Sequence, residues 1–453
     1  MKLRVFLTAA AMTLAATASY AEAPKYIFLY IGDGMGMGPV NAAQNYNRTV
    51  LGNDEPLTMM QMPVVGWSQT YSASAPVTDS AAAGTALSTG YKTKNGMLGM
   101  TPDTTNVYSV TKTLSEMGYG IAVATSVAPD DATPAAFYAH VPTRKMLNEI
   151  DRQMAEAGFN FIAGADLRSD DKGIFDYMAE NNVQVVRGLK GIEEMKSDKV
   201  VLINETNPLH SNNIGYTIDS IAGALTLPDI TKAALTQLER TSPDRFFMMI
   251  EGGNIDHALH ANDGGAAVKE ILNFDSALKI AFDFYKAHPE ETLIIVTADH
   301  DTGGLAIQNG KGSGIGNIDY QKVSKEAFND YCKGLLKSRM IYTWADMKEY
   351  LTENLGFYTH IPVSAEQEEK LESLFNETFE MRNSADQKTL YATFNGFAAE
   401  VFRIFNDAAG LTFSTTGHSG NPVPVFVAGK DADLFKGFNN NIDIAAGILK
   451  AVK

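Results

Sequence analysis

Serine, aspartate, glutamate and histidine recur in this chain at points where apolar runs stop, and catalytic chemistry can be built at such points. Ser80, in Thr78-Asp79-Ser80-Ala81-Ala82-Ala83-Gly84, is the candidate nucleophile. Asp79 has the character of an N-cap and the alanines that follow favour helix, so the Ser80 hydroxyl belongs at a helix N-terminus. Unpaired amides and the positive dipole end favour an anion there. A serine so placed can act as an alkoxide or carry a phosphoryl group only if something stronger than a helix end lowers its pKa. Taken alone, the stretch is no more than a capped helix.

Its company changes that. Lys25 to Ile31 is an apolar run that opens into Gly32-Asp33-Gly34-Met35-Gly36-Met37-Gly38-Pro39. Met37 and Pro39 break the dinucleotide fingerprint in its two frames, which leaves Asp33 as the functional residue and the glycines as room for it. Tyr119 to Val127 is followed by Asp131 and Thr133, and Phe246 to Ile250 by Glu251, Asp256, His257 and His260. On a helix, Asp256 and His260 share one face and can chelate one ion. Thr292 to Thr297 leads to Asp299 and His300, and His418 precedes the run Pro424 to Ala428. Arg144 is expected on a helix that starts near Pro142.

The elements that must position these groups are buried strands alternating with helices. That pattern implies an α/β protein built on a doubly wound, mostly parallel sheet with helices on both faces. In such a sheet the strand ends converge along one edge, where residues distant in sequence meet. Zinc accepts mixed imidazole and carboxylate ligands, whereas magnesium prefers oxygen. The candidate acids and histidines suffice for two zinc-like sites and one oxygen-rich site. His140 and His210 are expected to be structural.

The chain as a whole constrains location and partners. Lys2 and Arg4, the apolar run Val5 to Ala18 and the small residues around Ala21 form a signal-peptide pattern over residues 1–21, with the working domain over 22–453. Export to a periplasmic or extracellular space follows, with no membrane anchor after cleavage. The single cysteine, Cys332, permits no intrachain disulfide. Removing Lys2 and Arg4 takes 37 basic residues to 35 against 53 acidic ones, and the formal charge from -16 to -18. Such a balance argues against a nucleic-acid-binding surface. It suits a chain that gathers carboxylates around divalent cations.

The stretches Ile31 to Gly36, Thr78 to Ala82, Asp131 to Ala136, Arg144-Lys145, Glu251 to His260, Ala298 to His300 and Gly417-His418, in that order, resemble those of the alkaline phosphatases. The resemblance implies one Zn2+ held by Asp256, His260 and His418, and a second held by Asp33, Asp299 and His300 beside Ser80. It implies Mg2+ on Asp33, Thr133 and Glu251, with Arg144 gripping phosphate and Asp79 orienting Arg144 as well as, or instead of, capping the helix. The implied reaction is hydrolysis of a broad range of phosphate monoesters through a phosphoserine at Ser80.

One departure concerns the third metal. Where relatives pair aspartate with lysine, or use two histidines, this chain has Asp131 with His257. His257 can bond phosphate through water, draw zinc into that site, or stand outside the ligand set. The segment 302–416 breaks the alternating rhythm, with exposed helices expected over 343–355 and 365–381. It resembles the family's crown-type insertion, which packs near a homodimer interface. Two other readings remain: a phosphodiesterase of the same superfamily, and an exported zinc or phosphate binding protein. The latter has no need of Ser80 or Arg144.

Overall fold

An uninterrupted apolar strand is stable only where both faces are covered. The computed structural model, which describes residues 23–205, 213–310, 312–338 and 341–453, arranges such strands in one sheet. The expected signal peptide and His210 lie outside the described residues. The strands are β1 (Tyr26–Ile31), β2 (Val64–Gln69), β3 (Gly120–Thr125), β4 (Phe161–Gly164), β5 (Gln184–Arg187), β6 (Val200–Ile203), β7 (Phe246–Glu251), β8 (Thr292–Thr297), β9 (Val423–Gly429) and β10 (Gly437–Asn440). Their spatial order is β10-β2-β9-β8-β1-β7-β3-β4-β6-β5. The block from β8 to β5 is parallel throughout. β9 runs against both of its neighbours. The doubly wound, mostly parallel α/β architecture is therefore as expected, but β2 and β10, both partly exposed, gave no clear apolar run.

Alternation along β1 shows how the two faces are filled. Phe28 and Tyr30 enter one hydrophobic core, while Ile27, Leu29 and Ile31 enter the other. Each such side chain contributes about 1.5–3 kcal/mol on burial. That gain fixes register, because a one-residue slip would exchange the two faces. The register in turn sets the site. Ile31 lies opposite both Glu251 and Thr297, and Thr125 opposite Glu251, so β8, β1, β7 and β3 end at one level.

The helices expected to be exposed after residue 302 are corrected by their packing. Trp344–Leu355 buries Met347, Leu351 and Leu355, and Ala365–Phe375 buries Leu371 and Phe375. With Phe328, Phe397, Val401 and Phe402 they form a third core. Their polar residues occupy only the outer faces, as amphipathic helices require. Cys332 sits fully buried in this core, where burial pushes its thiol up to about 12. Among the described residues, no helix is long and apolar enough to cross a membrane.

Leu351→Ala removes a fully buried side chain from the smallest of the three cores, and is expected to lower stability by about 2–5 kcal/mol. A fall in the urea midpoint would measure it; an unchanged midpoint would mean that this core adds little to the folded state.

Candidate active site

Ser80 opens the helix Ser80–Thr89 and is 1% exposed. The Asp79 carboxylate accepts from the Ala82 amide at 3.0 Å, which makes it the expected N-cap, and Gly90 in the left-handed region (φ 77°) ends the helix. Ser80 Oγ lies 3.2 Å from His300 Nε2. The nucleophile predicted from one stretch thus meets a ligand predicted from another, across 220 residues.

Two groups of acids and imidazoles bring their ligand atoms within 4.8 Å of one another: Asp33, Asp299 and His300, and Asp256, His260 and His418. The sheet explains how. Asp33 follows β1, Asp256 and His260 follow β7 on the helix Gly253–His260, and Asp299 and His300 follow β8. His418 precedes β9, and because β9 is antiparallel its start lies on the edge where its neighbours finish. Gly34 is needed at φ +70°, where a Cβ would come within 2.7 Å of Asp256 Oδ1.

Hydrogen bonds on the outer ring nitrogens set the tautomers. His260 Nδ1 donates to the Thr416 carbonyl at 2.6 Å, and His418 Nδ1 to the Thr78 carbonyl at 2.8 Å. Both Nε2 lone pairs then point inward, and the two atoms stand 3.0 Å apart. His300 Nδ1 meets the Thr302 hydroxyl at 3.2 Å, and that hydroxyl donates to Asp256 Oδ1. Thr302, which sequence reasoning missed, therefore orients one member of each group. Inward lone pairs facing one another are unfavourable for the bare protein and suit a shared cation.

The carboxylates carry the same signature. Asp33 Oδ1, Asp256 Oδ2 and Asp299 Oδ2 are buried without a hydrogen-bond partner. Burial, then repulsion from Asp299, Asp256 and Glu251, pushes the Asp33 carboxyl well above its usual range. Burial raises Glu251 to about 8. Asp256 is also disfavoured by burial, but the His260, His418 and His300 rings outweigh this and hold it low. Burial and His300 depress His418 to about 4. The third set is looser: Thr133 Oγ1 donates to Asp33 Oδ2 at 3.4 Å, and the Thr125 hydroxyl donates to Glu251.

Arg144 does not sit on a helix. It lies in the turn before Leu147–Glu156, because its amide is taken by the Gly96 carbonyl at 2.7 Å. Its guanidinium bonds Asp131 Oδ1 at 2.6 Å and lies 3.7 Å from Asp79 Oδ2, so the carboxylate that caps the helix is also within ion-pair reach of the arginine. Arg168 takes the other Asp131 oxygen at 3.1 Å and also binds Asp130. Burial disfavours the Asp131 anion, yet Arg168 and Arg144 hold its carboxyl far below the usual range. Arg168 was missed because an arginine in Asp166-Leu167-Arg168-Ser169 looks like solvated loop. His257 falls outside both ligand groups; its ring packs 3.9 Å from that of Tyr391, another residue without a sequence signal. His140 bonds the Gly99 carbonyl at 2.8 Å, as a structural histidine should.

The family model for alkaline phosphatase matches residues 24–188 and 167–453. The chain belongs to the alkaline phosphatase family. This phosphatase is 26% identical to alkaline phosphatase 4 of Bacillus subtilis over 441 residues, covering 95% of this chain and 89% of that one. It is 30% identical to the repressible alkaline phosphatase of Saccharomyces cerevisiae over 323 residues, covering 63% and 56%. Among solved structures, the cold-active alkaline phosphatase of a psychrophilic Shewanella is similar, with a TM-score of 0.79, 25% identity and coverage of 94% and 99%. The phosphatase is an enzyme of a metal-dependent family, and phosphate monoesters fit as its substrates.

In this phosphatase, Arg168→Met would leave Asp130 and Asp131 buried without their shared cation, at an expected cost of about 3–5 kcal/mol. Because the folded Asp131 pKa is depressed, its contribution is present above the unfolded carboxylate range and is lost as pH falls through the folded value. The difference between wild type and variant in urea unfolding should thus be full at pH 7 and narrow only below about pH 4. A difference that grew on acidification would contradict the pairing.

Proposed function

We propose that this phosphatase hydrolyses a broad range of phosphate monoesters by two successive displacements at Ser80. The observation that carries the reading is the contact between Ser80 Oγ and His300 Nε2, at the edge of a group with unpartnered carboxylate oxygens. Those orphaned oxygens and inward Nε2 atoms fit divalent cations. Asp256, His260 and His418 would hold one Zn2+, and Asp33, Asp299 and His300 a second. Asp33, Thr133 and Glu251 would hold Mg2+. When bound, such ions stabilise charge on the attacking and departing oxygens of an in-line displacement.

The chain's own residues supply the rest. Arg144 pairs two phosphoryl oxygens through its planar fork and stays charged at alkaline pH. Asp131 and Asp79 fix that fork's direction, and Arg168 fixes Asp131. Ser80 Oγ, its proton passing to solvent, bonds phosphorus as the bond from phosphorus to the ester oxygen breaks. The alkoxide so released takes a proton from solvent and leaves as the alcohol, and the helix N-terminus favours the resulting phosphoserine. Water then attacks the same phosphorus, releasing inorganic phosphate and restoring Ser80. The groups named here all address the phosphoryl end, so broad specificity for the alcohol should follow.

The reading extends to export after loss of residues 1–21, and to a homodimer shaped by a crown-like insertion over 302–416. The signal-peptide pattern supports the first point, and the separate third core supports only the insertion as a packed unit.

Phenyl phosphate should be hydrolysed rapidly at alkaline pH, lose that rate on chelation and regain it with zinc plus magnesium. Ser80→Ala should lower kcat by about 10³-fold or more. No turnover by fully loaded enzyme, or full turnover by Ser80→Ala, would sink the mechanism.

A further inference from the structure

Tyr391 belongs to the segment 302–416, far from every motif that built the site, yet it reaches the site directly. It sits in the turn between the short paired strands Gln387–Lys388 and Thr393–Phe394. The Thr389 amide donates to the Ala392 carbonyl at 2.9 Å, and the Ala392 amide to Thr389 Oγ1 at 3.1 Å, which closes the turn. The Tyr391 ring packs 3.9 Å from that of His257 and meets His260 edge-on at 5.2 Å. Its phenol lies within electrostatic reach of Asp256, Asp131, Arg144 and Asp33.

The hairpin is fixed in that position by a buried cation. Lys325 is 1% exposed. Its Nζ donates to the Gln387 side chain at 2.8 Å and lies 4.6 Å from the centre of the Phe394 ring, so it grips both strands of the hairpin. The same Nζ donates at 2.7 Å to the carbonyl of Ala261, the residue after His260. One ammonium thus ties the hairpin to the end of the helix that carries Asp256, His257 and His260. Asn329 adds a second tie to the Thr393 carbonyl at 3.1 Å.

We infer that the Tyr391 hydroxyl donates a hydrogen bond to the phosphoryl group held by Arg144, and that Lys325 is the residue that positions it. The inference rests on the monoesterase reading. A phenol is a donor that brings no charge to a pocket already rich in acids, and a phosphoryl oxygen is the acceptor such a pocket receives. The stack on His257 orients the ring, so this histidine supports the phenol in place of binding an ion.

The test uses the zinc- and magnesium-loaded enzyme, with phenyl phosphate as substrate and inorganic phosphate as competitive inhibitor. Tyr391→Phe keeps the ring and its stacking while deleting the hydroxyl. It should raise the phosphate inhibition constant and KM together by about 10-fold, with bound zinc unchanged. Lys325→Met should shift both constants in the same direction, and should add little in the Tyr391→Phe background. Constants within twofold of wild type in Tyr391→Phe would overturn the inference, as would a rise that tracked loss of zinc. Fully additive effects would remove Lys325 from it. If the loaded wild type hydrolyses no monoester, the functional reading itself fails; an active wild type matched by Tyr391→Phe sinks only the tyrosine.

Discussion

Confinement of like charge is the constraint on which this structure turns. Asp33, Glu251, Asp256 and Asp299 are all buried at one edge of the sheet, and repulsion among them, added to burial, forces the Asp33 carboxyl far up its scale. Imidazoles, threonine hydroxyls and the Gly34 amide approach closely enough to temper it. Asp256 and Asp299 are held low by neighbouring rings, Asp131 by two arginines. Charge of that kind is what a bound cation would neutralise, so metal binding and stabilisation of this edge would be one event.

The sheet makes such confinement affordable because its register is set by apolar burial elsewhere. Four adjacent strands end level, and each delivers an acid or histidine within a few residues of its end. The helix Gly253–His260 then presents Asp256 and His260 from a single turn, and Asp79 turns one carboxylate to two uses. Rigidity comes from the two large cores, and the polar edge carries the strain.

What could be read from the sequence follows from locality. The helix at Ser80, the strand before Asp33 and the pairing of Asp256 with His260 each announce themselves within ten residues, through caps, glycines and apolar runs. That these acids and histidines would meet was legible because parallel strand ends converge; which of them share a group came from the resemblance to the alkaline phosphatases. Arg168, Thr302, Lys325 and Tyr391 were not legible, since their neighbours in space lie tens to hundreds of residues away and their local sequence resembles ordinary loop or helix. Arg144 was placed on a helix because Pro142 suits a helix start, but a long-range bond to Gly96 holds the turn open. The helices after residue 302 looked exposed because their polar faces dominate the composition, and only the assembled third core shows where their apolar faces go.

The reversed direction of β9 has a consequence for assembly. His418 lies just before β9, the strand between β8 and β2, so the group with Asp256 and His260 stays one ligand short until that segment docks. The other group, Asp33, Asp299 and His300, has no such dependence. The topology therefore completes one group from residues 33–300 alone and leaves the other waiting on a segment more than a hundred residues further along the chain.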